Sequence, residues 1–191
     1  MKTMVMISGG NGSGKSTLAR ALMNKAGGIA STSREITVCN DKRYAFAGKY
    51  NSSKYGGVDA INNTKELADI AEIAFKECEV FIAEGCNLGT FGMNMQNAFF
   101  KAQNQLLIFL YADTETIKRR LLNRVNTKAD DDKAQKRLTT AMNRAKNARR
   151  AAVKWKSIGV QVVCVNTAAM DAEKCADCLF ELINEKAKIC H

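Results

Sequence analysis

The sequence predicts a three-layer α/β fold, in which a mainly parallel β-sheet carries helices on both faces. Short apolar, β-prone runs alternate with stretches of helical period along the whole 191-residue chain. Such alternation is typical of parallel strands joined by crossover helices. Hydrophobic residues make up 46% of the chain, which is enough for a packed core. The length favours one domain spanning residues 1–191.

Five strands are expected, together with a β-hairpin partner for the second of them. The strands are assigned to residues 5–7, 35–39, 80–83, 106–111 and 160–165, and the hairpin partner to 44–47. Helical periodicity indicates helices at residues 15–25, 64–78, 114–124 and 172–186. We interpret the segment from 125 to about 137 as a small basic lid.

The most specific motif follows the first strand. Residues 9–17 read Gly-Gly-Asn-Gly-Ser-Gly-Lys-Ser-Thr, which matches the phosphate-binding pattern GxxxxGK[ST] between a buried strand and a helix. Glycines let backbone N–H groups wrap a phosphate, and the helix N-terminus adds partial positive charge. Lys15 is expected to reach the β- and γ-phosphates and the Ser16 hydroxyl to ligate Mg²⁺, so the sequence predicts a P-loop NTPase fold. The predicted nucleotide-binding residues are Gly9, Asn11, Gly12, Ser13, Gly14, Lys15, Ser16 and Thr17.

Nucleotide binding alone leaves several activities open. A GTPase should carry an Asn/Lys-x-x-Asp motif on a late strand, whereas residues 163–168 read Val-Cys-Val-Asn-Thr-Ala. The small size, the lone P-loop and the arginine-rich lid resemble the nucleotide-kinase group of P-loop proteins. This resemblance implies ATP and Mg²⁺ as cofactors and transfer of the γ-phosphate to a hydroxyl group. A DNA-stimulated ATPase without a phosphate acceptor is the alternative outside the kinases.

The third predicted strand ends in an acidic residue. Residues 80–85 read Val-Phe-Ile-Ala-Glu-Gly, which places Glu84 at the carboxyl edge of the sheet, where ligands bind in such folds. Glu84 could hold a magnesium-bound water or accept the proton of the substrate hydroxyl. The alternative is a carboxylate that only pairs with Lys15.

Arginines follow the fourth predicted strand. Residues 120–124 read Arg-Leu-Leu-Asn-Arg, which resembles the RLxxR stretch that precedes the lid in nucleoside-monophosphate kinases. The resemblance implies that Arg124 stacks on adenine or contacts the phosphates, and that Arg119 and Arg120 reach the transferring group. It also brings residues 166–168 near the adenine. The alternative is a solvated basic helix face.

The candidate acceptor segment precedes the helix at residue 64. Residues 47–50 read Ala-Gly-Lys-Tyr, and residues 54–61 read Lys-Tyr-Gly-Gly-Val-Asp-Ala-Ile. Together with Glu84 and Gly85, these pieces resemble phage-encoded P-loop kinases that act on 5-hydroxymethyluracil in DNA. The resemblance implies a hydroxymethyl group in phage DNA as the acceptor and the host cytoplasm as the location.

The side chains of this segment suit such an acceptor. The predicted substrate-binding residues are Lys49, Tyr50, Tyr55, Gly56 and Gly57. The tyrosines could stack on a base, the glycines would allow close backbone approach, and the lysine would meet a phosphate. Asp59 could accept the proton of an attacking CH₂–OH group, or else simply cap the next helix. Asp41 is a rival base, although Asn40-Asp41 is more simply explained as a turn.

The net charge of +10 is concentrated in one segment. Residues 118–156 hold 14 basic and 3 acidic residues, a net +11, which leaves 15 basic and 16 acidic residues elsewhere. Such a localised field indicates a polyanionic partner, either ATP, DNA or both. A DNA kinase needs charge that continues beyond the nucleotide pocket along the phosphate backbone. We favour DNA because seven cations extend past the lid on a long helix: Arg137, Arg144, Lys146, Arg149, Arg150, Lys154 and Lys156. The alternative is a small-molecule nucleoside or nucleoside-monophosphate kinase, in which this helix face is only solvated.

No membrane partner is expected, because no apolar run approaches the roughly 20 residues that cross a bilayer. Residues 1–7 lack the pattern of a secretory signal, which favours a cytoplasmic protein. Seven scattered cysteines agree with a reducing compartment. Cys175 and Cys178 form a CxxC pattern that we interpret as two ordinary helix cysteines, since no second Cys/His pair lies nearby.

Overall fold

The structure is a computed structural model that describes residues 1–33, 35–50, 57–61, 64–85, 88, 90–125, 132–169 and 171–188. Of residues 59, 60, 64, 124, 125, 133 and 134 it describes the backbone. Among the described helices, none is long and apolar enough to cross a membrane.

One sheet runs through the described part of the chain and holds seven strands in the order β2-β3-β4-β5-β1-β6-β7. The strands are β1 Thr3–Gly9, β2 Ile29–Thr32, β3 Ile36–Cys39, β4 Tyr44–Ala47, β5 Val80–Glu84, β6 Asn104–Tyr111 and β7 Gln161–Asn166. From β4 to β7 neighbouring strands are parallel, whereas β3 is antiparallel to both β2 and β4. The carboxyl ends of the five parallel strands therefore share one edge of the sheet.

Six α-helices lie in the described residues. They are α1 Lys15–Lys25, α2 Leu67–Ala74, α3 Met93–Phe99, α4 Thr114–Val125, α5 Asp132–Ser157 and α6 Ala172–Lys188. Two short 3-10 turns, Gly57–Ala60 and Thr64–Glu66, precede α2.

The predicted fold class is confirmed, but the predicted number of five strands is wrong. The segment expected as a hairpin partner, β4, joins the parallel set beside β5, and β3 lies outside it. The strand β2 was not predicted, because it is an edge strand whose residues are mostly exposed. Its position depends on backbone pairing with β3, which leaves no alternation of apolar and polar residues in the sequence.

Helices cover both faces of the sheet, and β1 lies between them. Met4 and Met6 pack with the helices α2, α3 and α5, whereas Val5 and Ile7 pack with α1 and α6. This alternation follows from the two-residue period of a strand. The buried β1 therefore delivers its carboxyl end, and the loop that follows, to the centre of the sheet edge.

The long helix α5 is anchored in the core through its C-terminal half. Trp155 is fully buried, and its indole makes edge contacts with Phe91 and Phe99 at centroid distances of 4.7 and 5.0 Å. Of the predicted lid, residues 126–131 lie outside the described residues, and residues 132–137 form the first turns of α5. The middle of α5, at Ala141 and Ala145, lies against the loop that follows β1.

Candidate active site

The loop between β1 and α1 has the backbone that phosphate binding requires. Gly12 and Gly14 adopt positive φ angles of 78° and 91°. A side chain on Gly9 would place its Cβ 2.5 Å from the carbonyl oxygen of Leu110, so only glycine fits there. The loop therefore presents main-chain atoms to a ligand, as a phosphate cradle must.

Lys15 opens α1 and folds back over this loop. Its side chain is buried, and Nζ donates hydrogen bonds to the carbonyl oxygens of Gly9 at 3.1 Å and Gly10 at 2.9 Å. Ser13 Oγ is also buried, and among the described residues it has no hydrogen-bond partner. A cation and an orphaned hydroxyl within one loop fit a phosphate, whose oxygens could accept from both.

Glu84 lies at the end of β5, next to β1. Its Cα pairs with that of Ile7, two residues before Gly9, and only 2% of the residue is exposed. Ser16, in the first turn of α1, is partly exposed. No cluster of three or more His, Cys, Asp or Glu residues occurs in the described ranges. The Ser16 hydroxyl and the Glu84 carboxylate are donors that suit Mg²⁺, which keeps several waters and takes its other ligands from phosphates and one or two side chains.

The acceptor segment meets Glu84 through its glycines. A Cβ on Gly57 would stand 2.7 Å from Glu84 Oε1, and a Cβ on Gly48 would stand 2.0 Å from the carbonyl oxygen of Gly57. Gly48, Gly57 and Glu84 therefore stack with no room for a side chain between them. Thr37 Oγ1 donates to the Gly48 carbonyl oxygen at 2.8 Å, which fixes this stack to β3. The structure thus places Gly57 of the candidate acceptor segment directly against Glu84.

Two other residues predicted to bind the acceptor, Lys49 and Tyr50, differ in their exposure. Lys49 is exposed, but Tyr50 is only 2% exposed and packs edge-on against Phe46 with Arg20 beside its ring. This packing favours a core role for Tyr50 over the predicted stacking on a base. Tyr55 and Gly56 lie outside the described residues. Asp59 and Arg124 have their backbones in the Gly57–Ala60 turn and in α4, and their side chains lie outside the description.

A cavity of about 350 Å³ opens beside the P-loop on the side away from the acceptor segment. Its wall combines loop glycines with residues of α1, α4, β7 and α6. The lining residues are Gly12, Gly14, Thr17, Leu18, Arg120, Asn123, Val165, Thr167, Ala172 and Cys175. Since it joins the phosphate loop directly, this cavity is the candidate site for the base and sugar of the nucleotide.

Arg120 spans that cavity. Its Nη1 donates to the Gly12 carbonyl oxygen at 3.2 Å and to Thr167 Oγ1 at 2.9 Å, and its Nη2 donates to the Thr167 carbonyl oxygen at 2.7 Å. Thr167 is held in turn by Tyr111, whose carbonyl oxygen accepts from the Thr167 N–H and hydroxyl. Arg120 therefore ties the P-loop to the loop after β7, and its contact with the transferring group stays a prediction.

Sequence reasoning did not single out the second arginine that contacts the P-loop. Arg144 of α5 donates from Nη1 to Asn11 Oδ1 at 3.1 Å. The sequence prediction grouped Arg144 with the cations expected to follow a DNA backbone. No local signal could have identified the contact, because the two residues are 133 positions apart.

The chain belongs to the AAA domain family, whose model matches residues 5–157. The matched range includes the P-loop, Glu84 and the whole of α5. A search of the curated proteins found no significant match.

Solved structures with the same fold include named kinases. The YorR protein of Bacillus subtilis, in complex with phosphorylated GDP, superposes with a TM-score of 0.55 at 13% identity, over 98% of this chain and 99% of that chain. A sugar kinase from Janibacter sp. gives 0.53 at 12% identity, over 96% and 95%. The shikimate kinase of Acinetobacter baumannii, bound to shikimate, gives 0.50 at 14% identity, over 100% and 97%. At these identities the likeness concerns the fold.

Proposed function

We propose that the protein is a kinase that transfers the γ-phosphate of ATP to a hydroxyl group of a small acceptor of the nucleoside class. One observation carries the proposal: the phosphate loop and the Gly57–Glu84 contact lie on adjacent strand ends of the same sheet edge. A donor site and an acceptor site that touch are what direct phosphoryl transfer needs, since the two reacting groups must meet in line.

Each predicted site residue has a separate role in the proposed reaction. Lys15 would exchange its two carbonyl acceptors for β- and γ-phosphate oxygens once they occupy the loop. Glu84, or Asp59 two residues after Gly57, would take the proton from the acceptor hydroxyl as its oxygen bonds to the γ-phosphorus and ADP leaves. Mg²⁺ held by Ser16 and, through water, by Glu84 would neutralise charge on the phosphates. Arg120 would hold the base cavity against the P-loop.

The structural neighbours support the small acceptor. The sugar kinase and the shikimate kinase are named for small molecules that carry hydroxyl groups, and YorR was solved with a guanine nucleotide. Each shares the fold over at least 95% of both chains. A small-molecule acceptor also needs no surface beyond the cavity and the acceptor segment.

A second candidate acceptor is the hydroxymethyl group of 5-hydroxymethyluracil in DNA. The favouring observation is the outer face of α5, where Arg149, Arg150, Lys154 and Lys156 are all exposed. Among the described residues, no carboxylate forms an ion pair with any of these four cations. A cationic surface outside the nucleotide cavity suits a polyanion longer than a nucleotide. The target base would have to leave the duplex stack to reach Glu84.

The test is transfer of label from γ-labelled ATP to a panel of acceptors. The panel holds free nucleosides, nucleoside monophosphates, duplex DNA containing 5-hydroxymethyluracil, and the same duplex unmodified. Label on a nucleoside or monophosphate supports the first candidate, and label confined to the modified duplex supports the second. Hydrolysis without any labelled acceptor, stimulated by unmodified DNA, would identify an ATPase and reject both. Lys15→Ala should abolish transfer while leaving the fold intact.

Two further variants test the DNA surface and the identity of the base. Arg149→Ala combined with Arg150→Ala should flatten the salt dependence of DNA binding if these side chains meet phosphates. Equal salt slopes for variant and parent would remove the DNA surface from consideration.

Asp59→Asn should lower turnover with little change in ATP affinity if Asp59 is the base. A loss confined to acceptor affinity would assign it to positioning the acceptor.

A further inference from the structure

Two arginines contact the P-loop at neighbouring residues, and their surroundings differ. Arg120 reaches the Gly12 carbonyl oxygen from the side of the base cavity, with its remaining bonds on Thr167. Arg144 reaches Asn11 from the side of α5. Lys15 Nζ lies at the carbonyl oxygens of Gly9 and Gly10, next to Asn11 in the loop. Arg144 therefore shares the Lys15 side of the loop, where the outer phosphates of a nucleoside triphosphate are expected.

Arg144 is exposed, but it lies on the side of α5 that carries the buried alanines. Ala141 and Ala148, which flank it at helical spacing, are 0% and 1% exposed. Residues 141, 144 and 148 lie on one side of a helix because three and four residues each complete about one turn. Lys146 lies about 160° away from Arg144 around the same helix, and both side chains are exposed. The two residues therefore differ in their position around α5: Arg144 lies on the loop side, and Lys146 lies on the opposite side.

This part of α5 is seated on the loop by close packing. A Cβ on Gly10 would stand 2.8 Å from the Ala145 Cβ and 3.0 Å from the Ala141 carbonyl oxygen. The helix can approach so closely because Gly10, Ala141 and Ala145 are small. Arg144 therefore has a fixed distance to the P-loop, which long charged side chains on a solvated helix face do not have.

We propose that Arg144 binds the γ-phosphate of the nucleotide, as a cation held in place by α5. A guanidinium has five N–H donors in a planar fork, and the bond to Asn11 uses one of its nitrogens. The other nitrogens make no further hydrogen bond within the described residues, so they are available to phosphate oxygens. The negative charge of a transferring phosphoryl group is spread over its oxygens, and a bidentate cation stabilises it. The assignment rests on the proposed kinase function for its catalytic consequence, but the binding contact can be measured without an acceptor.

The experiment compares ADP with the non-hydrolysable triphosphate AMP-PNP, each with Mg²⁺, by calorimetry. Arg144→Ala should weaken AMP-PNP binding about tenfold or more and leave ADP binding within about twofold, since only AMP-PNP carries the third phosphate group. Arg144→Lys should restore part of the loss, because a lysine supplies charge without the fork. Lys146→Ala is the matched control and should change neither affinity.

Two outcomes would overturn the proposal. Equal weakening of ADP and AMP-PNP by Arg144→Ala would show that Arg144 only supports the loop through Asn11. Unchanged affinity for both nucleotides would show that Arg144 does not contact the nucleotide. The proposed function fails separately, if no acceptor in the labelling panel is phosphorylated while the loss of AMP-PNP affinity is still observed.

Discussion

The backbone of Gly57 lies directly against Glu84. A Cβ at position 57 would stand 2.3 Å from the Glu84 carbonyl oxygen and 2.7 Å from its Oε1, and Gly57 has a φ of 70°. Two separate demands therefore require glycine here: a left-handed backbone conformation and the absence of a side chain. Glu84 is itself buried, so this contact lies inside the fold and not at its surface.

Gly57→Ala should lower the free energy of unfolding by more than the backbone strain alone. A non-glycine residue in the left-handed region costs about 1–3 kcal/mol, and the clash with Glu84 adds to that cost. Gly159→Ala is the matched control, because Gly159 has a φ of 90° and no atom within 4 Å of the position its Cβ would take. Urea unfolding of both variants measures the difference. Equal losses would mean that the acceptor segment moves away from Glu84 at no cost.

Arg120→Lys should reduce nucleotide affinity about tenfold. One lysine ammonium cannot reproduce the planar fork that reaches both Gly12 and Thr167, so the base cavity would lose its connection to the P-loop. Arg119→Lys is the control, because Arg119 is exposed on the same helix. Calorimetric titration with ADP measures both. An unchanged affinity in Arg120→Lys would show that the two loops hold their positions without the arginine.

Trp155→Ala should destabilise the protein by about 3–5 kcal/mol, since it leaves a large cavity between α5 and α3. Trp155→Phe should cost less, because an aromatic ring remains against Phe91 and Phe99. Val153→Ala, at a position that is 65% exposed on the same helix, should change stability by less than about 0.5 kcal/mol. Thermal and denaturant unfolding test this order. A loss for Trp155→Ala as small as that for Val153→Ala would contradict the anchoring of α5.

Cysteine reactivity should separate the buried thiols from the exposed ones. Burial raises the pKa of Cys39 and of Cys78 to about 12, so neither forms a thiolate near neutral pH. Cys164 and Cys178 are exposed and should react first with iodoacetamide at pH 8, as site-resolved mass spectrometry would show. Rapid labelling of Cys39 or Cys78 in the folded protein would contradict their burial.

The raised pKa values of Cys39 and Cys78 also predict that the folded protein loses stability in alkali. Their folded-state pKa values lie above the unfolded value of about 8.5. The stabilisation from holding the protons is therefore fully present below pH about 8.5 and is lost as pH rises toward 12. Replacing both cysteines with alanine should make the pH profile of the unfolding free energy flatter above pH 9. A profile identical to that of the parent would assign the alkaline loss to other groups.

Several features could be predicted because they depend on neighbouring residues. The P-loop and its helix follow from glycines, a lysine and a hydroxyl residue in consecutive positions, and the parallel strands β5 and β6 follow from unbroken apolar runs buried on both faces. The acid at position 84 could be assigned to the sheet edge because it ends such a run. The edge strand β2 and the short helix α3 carried no comparable signal, since their pairing and packing come from elsewhere in the chain.

The sequence alone was sufficient for the fold class and for the phosphate-binding loop, because both are encoded by short-range patterns of burial and backbone freedom. The tertiary structure decided which residues the basic side chains contact. Arg120 contacts Thr167 across 47 positions and Arg144 contacts Asn11 across 133, and the fold creates both contacts. The net charge of +11 over residues 118–156 therefore includes two arginines that contact the P-loop or the loop after β7, and exposed cations further along α5. These basic residues all lie in one segment of the sequence. Only the folded structure shows which residues each of their side chains contacts.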